Sequence, residues 1–139
     1  EKLYPVLRGR GAFLFEYGHS LHKSFLYGDS NKYLEEACRY SSDPMVLNVM
    51  GKNYQEQHCY EQAEKFFYRA IHRLPGRIYP YYLLANLYAE PDFYKPDKLK
   101  EAADSVLTKE PKVHSTAIDE MRSEVREILK RKDKCEIKK

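Results

Sequence analysis

The stretch Leu47-Asn48-Val49-Met50-Gly51-Lys52-Asn53-Tyr54 decides the fold, together with small and aromatic residues that follow it. Those residues are Ala63, Phe67, Ala70 and Pro75. Apolar residues three or four positions apart predict amphipathic helices. Gly51 lets two helices approach closely, and Pro75-Gly76 ends the second of them. The segment therefore predicts two tightly packed helices joined by a short turn.

The same landmarks recur along the chain. A small residue with a large one three positions later is found at Gly18 and Leu21, at Gly51 and Tyr54, and at Ala85 and Tyr88. The separations are 33 and 34 residues. A generic helical bundle shares the apolar spacing but has no reason to repeat this pair. The recurrence resembles the 34-residue tetratricopeptide (TPR) pattern, with Leu47 at the position of its tryptophan.

A TPR unit is a helix-turn-helix that buries its apolar face only by stacking on neighbours. We therefore predict an all-α fold of three TPR-like helix-turn-helix pairs, stacked as a short solenoid, with a C-terminal capping helix. One domain is expected over 1–139, with a lead-in at 1–9 where Pro5 and Gly9 interrupt any helix. The repeats are expected at about 10–43, 44–77 and 78–111, and the capping helix at about 115–132. Because the chain opens without Met, we expect it to be part of a longer protein.

The spacing also predicts the individual helices, at about 10–23, 29–41, 44–57, 60–73, 78–90 and 96–109. The third unit carries two extra residues in its turn, within Glu90–Pro96. Asp29, Asp97 and either Ser42 or Asp43 are expected as caps or first-turn acids, with Pro44 in a first turn. Ser115 or Thr116 is expected to cap the last helix. Its apolar stripe is Ala117, Ile118, Met121, Val125, Ile128 and Leu129.

Composition excludes several function classes. The net charge of +3 does not call for nucleic acid, and no run of 18 apolar residues predicts a membrane span. The chain itself is expected to be soluble. Three cysteines, Cys38, Cys59 and Cys135, argue against a disulfide framework without fixing the redox compartment.

No arrangement of residues predicts catalysis, so we expect no catalytic residue, cofactor, metal ion or small-molecule substrate. Glu16, His19 and His22 could share one side of a helix, but zinc sites more often use ligands four residues apart. Cys59 follows His58 in a turn without a group to orient them. We therefore expect the chain not to be an enzyme.

The TPR resemblance implies a binding surface, because the inner face of such repeats comes mainly from the first helix of each pair. Carried onto this chain, it implies a peptide-binding groove lined by Phe15, His19, Asn48, Lys52, Tyr79, Tyr82 and Asn86. The TPR class that grips a chaperone's C-terminal carboxylate has Lys and Asn where this chain has Phe15 and His19, so that ligand is not expected. The alternatives are a solvated face or a face covered by the lead-in segment. A separate basic edge at Arg69, His72, Arg73 and Arg77 reflects either the preference of cations for helix C-termini or a patch for an acidic partner or lipid headgroups.

A narrower resemblance rests on four stretches: Leu14–Gly18, Asp43–Met45 with Gly51–Tyr54, Arg77–Ala85, and Lys112–Ser115. They are similar to the C-terminal TPR region of bacterial O-antigen ligase/polymerase-family membrane proteins. That resemblance implies an inner-membrane parent whose catalytic residues lie outside this chain, on an undetermined side of the membrane. The alternative is a stand-alone or differently fused TPR adaptor. In either case the expected partner is a protein or peptide.

Overall fold

The computed structural model describes residues 3–40, 43–111 and 115–137, with side chains at 10–40, 43–111 and 115–132. These residues form seven α-helices, a short 3-10 helix and no strand. The helices are α1 (Leu3–Lys23), α2 (Tyr27–Ala37), α3 (Pro44–Glu56), α4 (Tyr60–Arg73), α5 (Tyr79–Tyr88), α6 (Pro96–Thr108) and α7 (Thr116–Ile137), with the 3-10 helix at Pro91–Phe93. The predicted all-α, TPR-like fold is confirmed. None of the described helices combines the length and apolar character needed to cross a membrane.

The chain divides into two compact units, Glu1–Arg73 and Leu74–Lys139. The first unit holds the helix pairs α1–α2 and α3–α4, and the second holds α5–α6 and α7. The organisation of the whole chain as one domain stays a prediction.

In the first unit, glycines allow the helices of each pair to touch. A Cβ built on Gly51 would lie 2.7 Å from Cδ1 of Phe67, a ring on α4 that is fully buried. A Cβ on Gly18 would lie 2.8 Å from Cδ2 of Leu34 on α2. Real Cβ atoms do not approach carbon this closely, so a side chain at either position would push the helices apart. The prediction that Gly51 is buried at a helix–helix contact is confirmed.

The second unit packs α7 against α5 and α6. Val125 and Ile128 of the predicted apolar stripe are buried, as are Tyr88, Leu99 and Val106 of the helix pair. The connection between α5 and α6, where the two extra residues are predicted, contains the 3-10 helix. The last helix thus covers apolar surface of the third pair, as its apolar stripe predicts.

Two helix ends carry a non-glycine residue in the left-handed region. Phe25 has φ 64° after α1, and His58 has φ 62° after α3. In both turns a backbone N–H reaches back five residues, from Leu26 to Leu21 O at 2.9 Å and from Cys59 to Tyr54 O at 2.8 Å. These bonds satisfy carbonyls at the helix end, in the Schellman arrangement that usually uses glycine. The two repeats of the first unit therefore share one turn geometry.

One prediction about the first helix is wrong. The expected lead-in at 1–9 is helical from Leu3 onward. Pro5 lies in the first turn, where its missing N–H removes no helical hydrogen bond. A single glycine such as Gly9 weakens a helix by about 1 kcal/mol relative to alanine but does not end it.

The predicted caps lie where expected. Asp43 accepts from the N–H of Met45 at 2.9 Å and caps α3, with Pro44 in the first turn, while Ser42 is outside the described residues. Asp29 and Asp97 lie in first turns. Ser115 accepts from the N–H of Ile118 at 3.4 Å. Lys112–His114, which belong to the narrower resemblance, are also outside the described residues.

Candidate functional site

Four of the predicted groove residues belong to the first unit, and we call them the α1–α3 face: Phe15, His19, Asn48 and Lys52. Phe15 and His19 are one turn apart on α1, and their rings stack with centroids 5.7 Å apart. Lys52 lies on α3 near enough for its charge to act on His19. The structure therefore places one charged group of α3 close to the ring of His19 on α1.

His19 is held in its neutral form. Partial burial of the imidazole lowers its pKa below the ordinary 6.5, and the positive charges of Lys23 and Lys52 and the His22 ring lower it further. Desolvation and nearby cations both disfavour imidazolium. At neutral pH the ring therefore offers a stacking surface and a donor or acceptor, and no charge.

Asn48 differs from the exposed groove residue that the sequence indicates. Its side chain is only 3% exposed, and its Oδ1 has no hydrogen-bond partner among the described residues. A buried unpaired acceptor destabilises a fold by about 1–3 kcal/mol. The Asn48 amide therefore has one unused acceptor, buried one helical turn before Lys52.

A second feature, which the sequence did not reveal, is a buried hydrogen-bond network centred on Asn53. The Nδ2 of Asn53 donates to Ser30 Oγ at 2.9 Å and to Asn31 Oδ1 at 2.7 Å. Ser30 Oγ donates to the carbonyl of Gly18 at 2.6 Å. Because an amide oxygen can only accept, the Oδ1 of Asn53 accepts a hydrogen bond from His22 Nδ1, 2.6 Å away.

This network ties α1, α2 and α3 together through polar side chains. Ser30 is fully buried, and its hydroxyl makes two hydrogen bonds that alanine could not make. The Nδ2 of Asn31 has no partner in the described residues. In the sequence Asn53 is one of several polar residues at the end of α3, so the residue pattern did not mark it as buried.

The remaining groove residues, Tyr79, Tyr82 and Asn86, lie on α5 in the second unit. The rings of Tyr79 and Tyr82 stack with centroids 6.2 Å apart. Asn86 Nδ2 donates to the carbonyl of Tyr82 at 3.1 Å. All three are half-buried and share one side of α5.

Tyr82 also donates its hydroxyl hydrogen to Glu124 of α7. Burial and this hydrogen bond raise the pKa of Tyr82 to about 12. The carboxylate of Glu124 would repel a phenolate, so the tyrosine stays protonated. The predicted groove residue therefore also holds α7 in place.

Other predicted residues do not form sites. The rings of His19 and His22 lie 6.2 Å apart, yet no group of three potential metal ligands occurs in residues 3–40, 43–111 and 115–137. Arg122 of α7 donates to the carbonyls of Val106 at 3.0 Å and Lys109 at 2.7 Å. Its guanidinium thus satisfies carbonyls at the end of α6.

The structure is similar to the crystal structure of PcrH in complex with the chaperone binding region of PopB. The TM-score is 0.70 at 13% sequence identity, and the match covers 85% of this chain and 93% of that chain. PcrH is a TPR-like chaperone, so the match supports the TPR-like helical-repeat fold. No protein-family model matches the chain, and no curated protein matches it in sequence.

Proposed function

We propose that this chain is a non-catalytic interaction module that binds an extended polypeptide segment along the inner face of its repeats. Three observations on the α1–α3 face support this proposal: the stacked rings of Phe15 and His19, the charge of Lys52 near His19, and the unpaired amide acceptor of Asn48 one turn before Lys52. Such a mixture of aromatic and hydrogen-bonding groups is typical of protein recognition surfaces.

Each residue of the α1–α3 face has a distinct role in this proposal. The stacked rings of Phe15 and His19 receive an apolar or aromatic side chain. Lys52 attracts a carboxylate, and Asn48 Oδ1 accepts a hydrogen bond from a peptide N–H. Asn48 is buried, so its amide must move toward the ligand, and pairing its unmet acceptor favours that movement.

On α5, we propose Tyr79, Tyr82 and Asn86 as contacts of the same kind. Aromatic rings provide contact area at a low cost in conformational entropy. The likeness to PcrH, whose structure contains a bound segment of PopB, adds support at the level of the fold.

The parent of this module is proposed in two forms. The narrower sequence resemblance favours a bacterial inner-membrane protein of the O-antigen ligase/polymerase family, with its catalytic residues outside this chain. The ligand would then be another part of the same protein or an assembly partner. The alternative is a TPR adaptor without a link to glycan assembly, whose ligand is a separate protein. A multi-span hydrophobic region upstream in the gene distinguishes the first from the second.

The binding proposal is tested with peptides selected on the wild-type chain from a random phage-displayed library. Their affinities are then measured by calorimetry for wild type, for a Phe15→Ala, Lys52→Glu variant and for Lys65→Glu. Lys65 is exposed on α4 and gives the same charge change away from the face. We expect the double variant to bind at least tenfold more weakly and Lys65→Glu to bind normally.

The part of the affinity difference between wild type and the double variant that disappears at high salt is the contribution of Lys52, because salt screens exposed charges. In addition, a carboxylate bound beside His19 should raise its pKa, which NMR titration of the ring protons measures. Equal binding by the double variant and wild type would exclude the α1–α3 face as the site.

A further inference from the structure

A cleft in the second unit shares no lining residue with the α1–α3 face and is lined mostly by apolar side chains. It has a volume of about 590 Å³, and its walls come from the segment before α5, from Pro111 and from the first turns of α7. The residues that matter here are Leu74, Arg77, Ile78, Pro111, Ile118 and Met121. A volume of this size is typical of clefts that hold ligands.

Arg77 is the one charged residue among the nine described residues that line the cleft. Its side chain is exposed at the rim, while Ile78 below it is 5% exposed. No carboxylate is among the described residues that line the cleft. A ligand that fits this surface has an apolar group for the cleft and a carboxylate beside it for Arg77.

The cleft is open on the side of its rim. Leu74 is 41% exposed although it lines the cleft, and Pro75 and Gly76 are also exposed. A ligand seated here keeps one side in water. Sites for small molecules usually enclose 70–90% or more of the ligand, whereas an open cleft suits a side chain presented by a longer polymer.

We propose that this cleft binds a polypeptide segment in which apolar anchor residues are followed by an acidic residue. The apolar anchors pack against Ile78, Ile118 and Met121, and the carboxylate pairs with Arg77. Tyr79, assigned above to the inner face, contributes to the wall of this cleft. The cleft is a second binding surface, and its occupation does not depend on the α1–α3 face.

The test uses two fluorescein-labelled synthetic peptides that are identical except for their charges. One carries two leucines followed by two glutamates, and the other carries two leucines followed by two lysines. Fluorescence anisotropy with the full chain should show that the acidic peptide binds about 3- to 10-fold more tightly. Arg77→Glu should reverse this preference, while Arg131→Glu, an exposed residue of α7 outside the cleft, should leave it unchanged.

Leu74→Asp should weaken both peptides, and because Leu74 is well exposed the variant is expected to keep its melting temperature. Lys52→Glu should not affect either peptide, which separates this site from the α1–α3 face. Equal affinity for the two peptides, or equal effects of Arg77→Glu and Arg131→Glu, would overturn the proposal. Displacement of the acidic peptide by dodecanoate, dependent on Arg77, would assign the cleft to small amphipathic carboxylates and would also overturn it.

Discussion

Replacing Gly51 with alanine tests the close contact between α3 and α4 that the repeat pattern implies. The new methyl group would lie 2.7 Å from Cδ1 and 3.0 Å from Cζ of Phe67. That ring has no exposed surface and is enclosed by other core residues. It cannot move away without displacing them.

Two opposing effects set the magnitude. Alanine is a better helix former than glycine by about 1 kcal/mol. Overpacking a well-filled core destabilises by about 1–3 kcal/mol. The comparison variant is Gly28→Ala in α2, where the new Cβ would meet Gln57 Nε2 at an ordinary 3.5 Å. Gly51→Ala should therefore be less stable than Gly28→Ala by about 1–3 kcal/mol.

The assay is urea unfolding at 25 °C, monitored by far-UV circular dichroism, with near-UV tyrosine signals to check for a single transition. A double-mutant cycle with Phe67→Leu identifies the cause. If the phenyl ring is the obstacle, Gly51→Ala should destabilise the Phe67→Leu variant less than it destabilises wild type.

The reasoning is refuted if Gly51→Ala is as stable as Gly28→Ala. It is equally refuted if the effect of Gly51→Ala is the same with phenylalanine or leucine at position 67. Either result would mean that α3 and α4 do not approach each other at Gly51.

Three further results are expected. Phe25→Gly should stabilise the chain by about 1 kcal/mol in urea unfolding, because glycine adopts positive φ without strain and the Phe25 side chain is 75% exposed. An unchanged or lower stability would contradict this prediction. Removing residues from Ser115 onward should cause aggregation in light scattering, because the apolar surface of α5 and α6 that Val125 and Ile128 now cover becomes exposed. A monomeric truncation with an unchanged melting temperature would show that α7 contributes little. The folded-state pKa of Tyr82 is raised to about 12, so the stability that the protonated hydroxyl contributes is complete below about pH 10 and is lost as pH rises toward 12. Tyr82→Phe should therefore lose less stability than wild type over this interval. Identical pH profiles of stability would count against the hydrogen bond to Glu124.

The likeness to PcrH also bears on what the sequence can predict. At 13% identity the two chains share a fold although few side chains coincide. A repeat of this kind is defined by small and large residues at fixed spacing, which many different sequences can satisfy. In this chain it was recognised from Gly18, Gly51 and Ala85 together with the large residue three positions after each of them.

The sequence by itself determined the repeat, most helix positions and the helix caps, because these depend on residues within a few positions of each other. Asp43 caps α3 through a hydrogen bond to Met45, two residues away. Two extra residues between Ala85 and Leu99 predicted an insertion between α5 and α6, where the 3-10 helix lies. Such local interactions can be inferred from order and spacing.

Only the tertiary structure decided which polar side chains are buried and what they bind. Asn53 joins His22 and Ser30, which are 31 and 23 residues away. Asn48 has an unpaired acceptor because of the groups that surround it, and Tyr82 meets Glu124 because α7 folds back on α5. Hydrogen bonds of this kind depend on the positions of several helices at once, and a linear pattern of residue types contains no record of those positions.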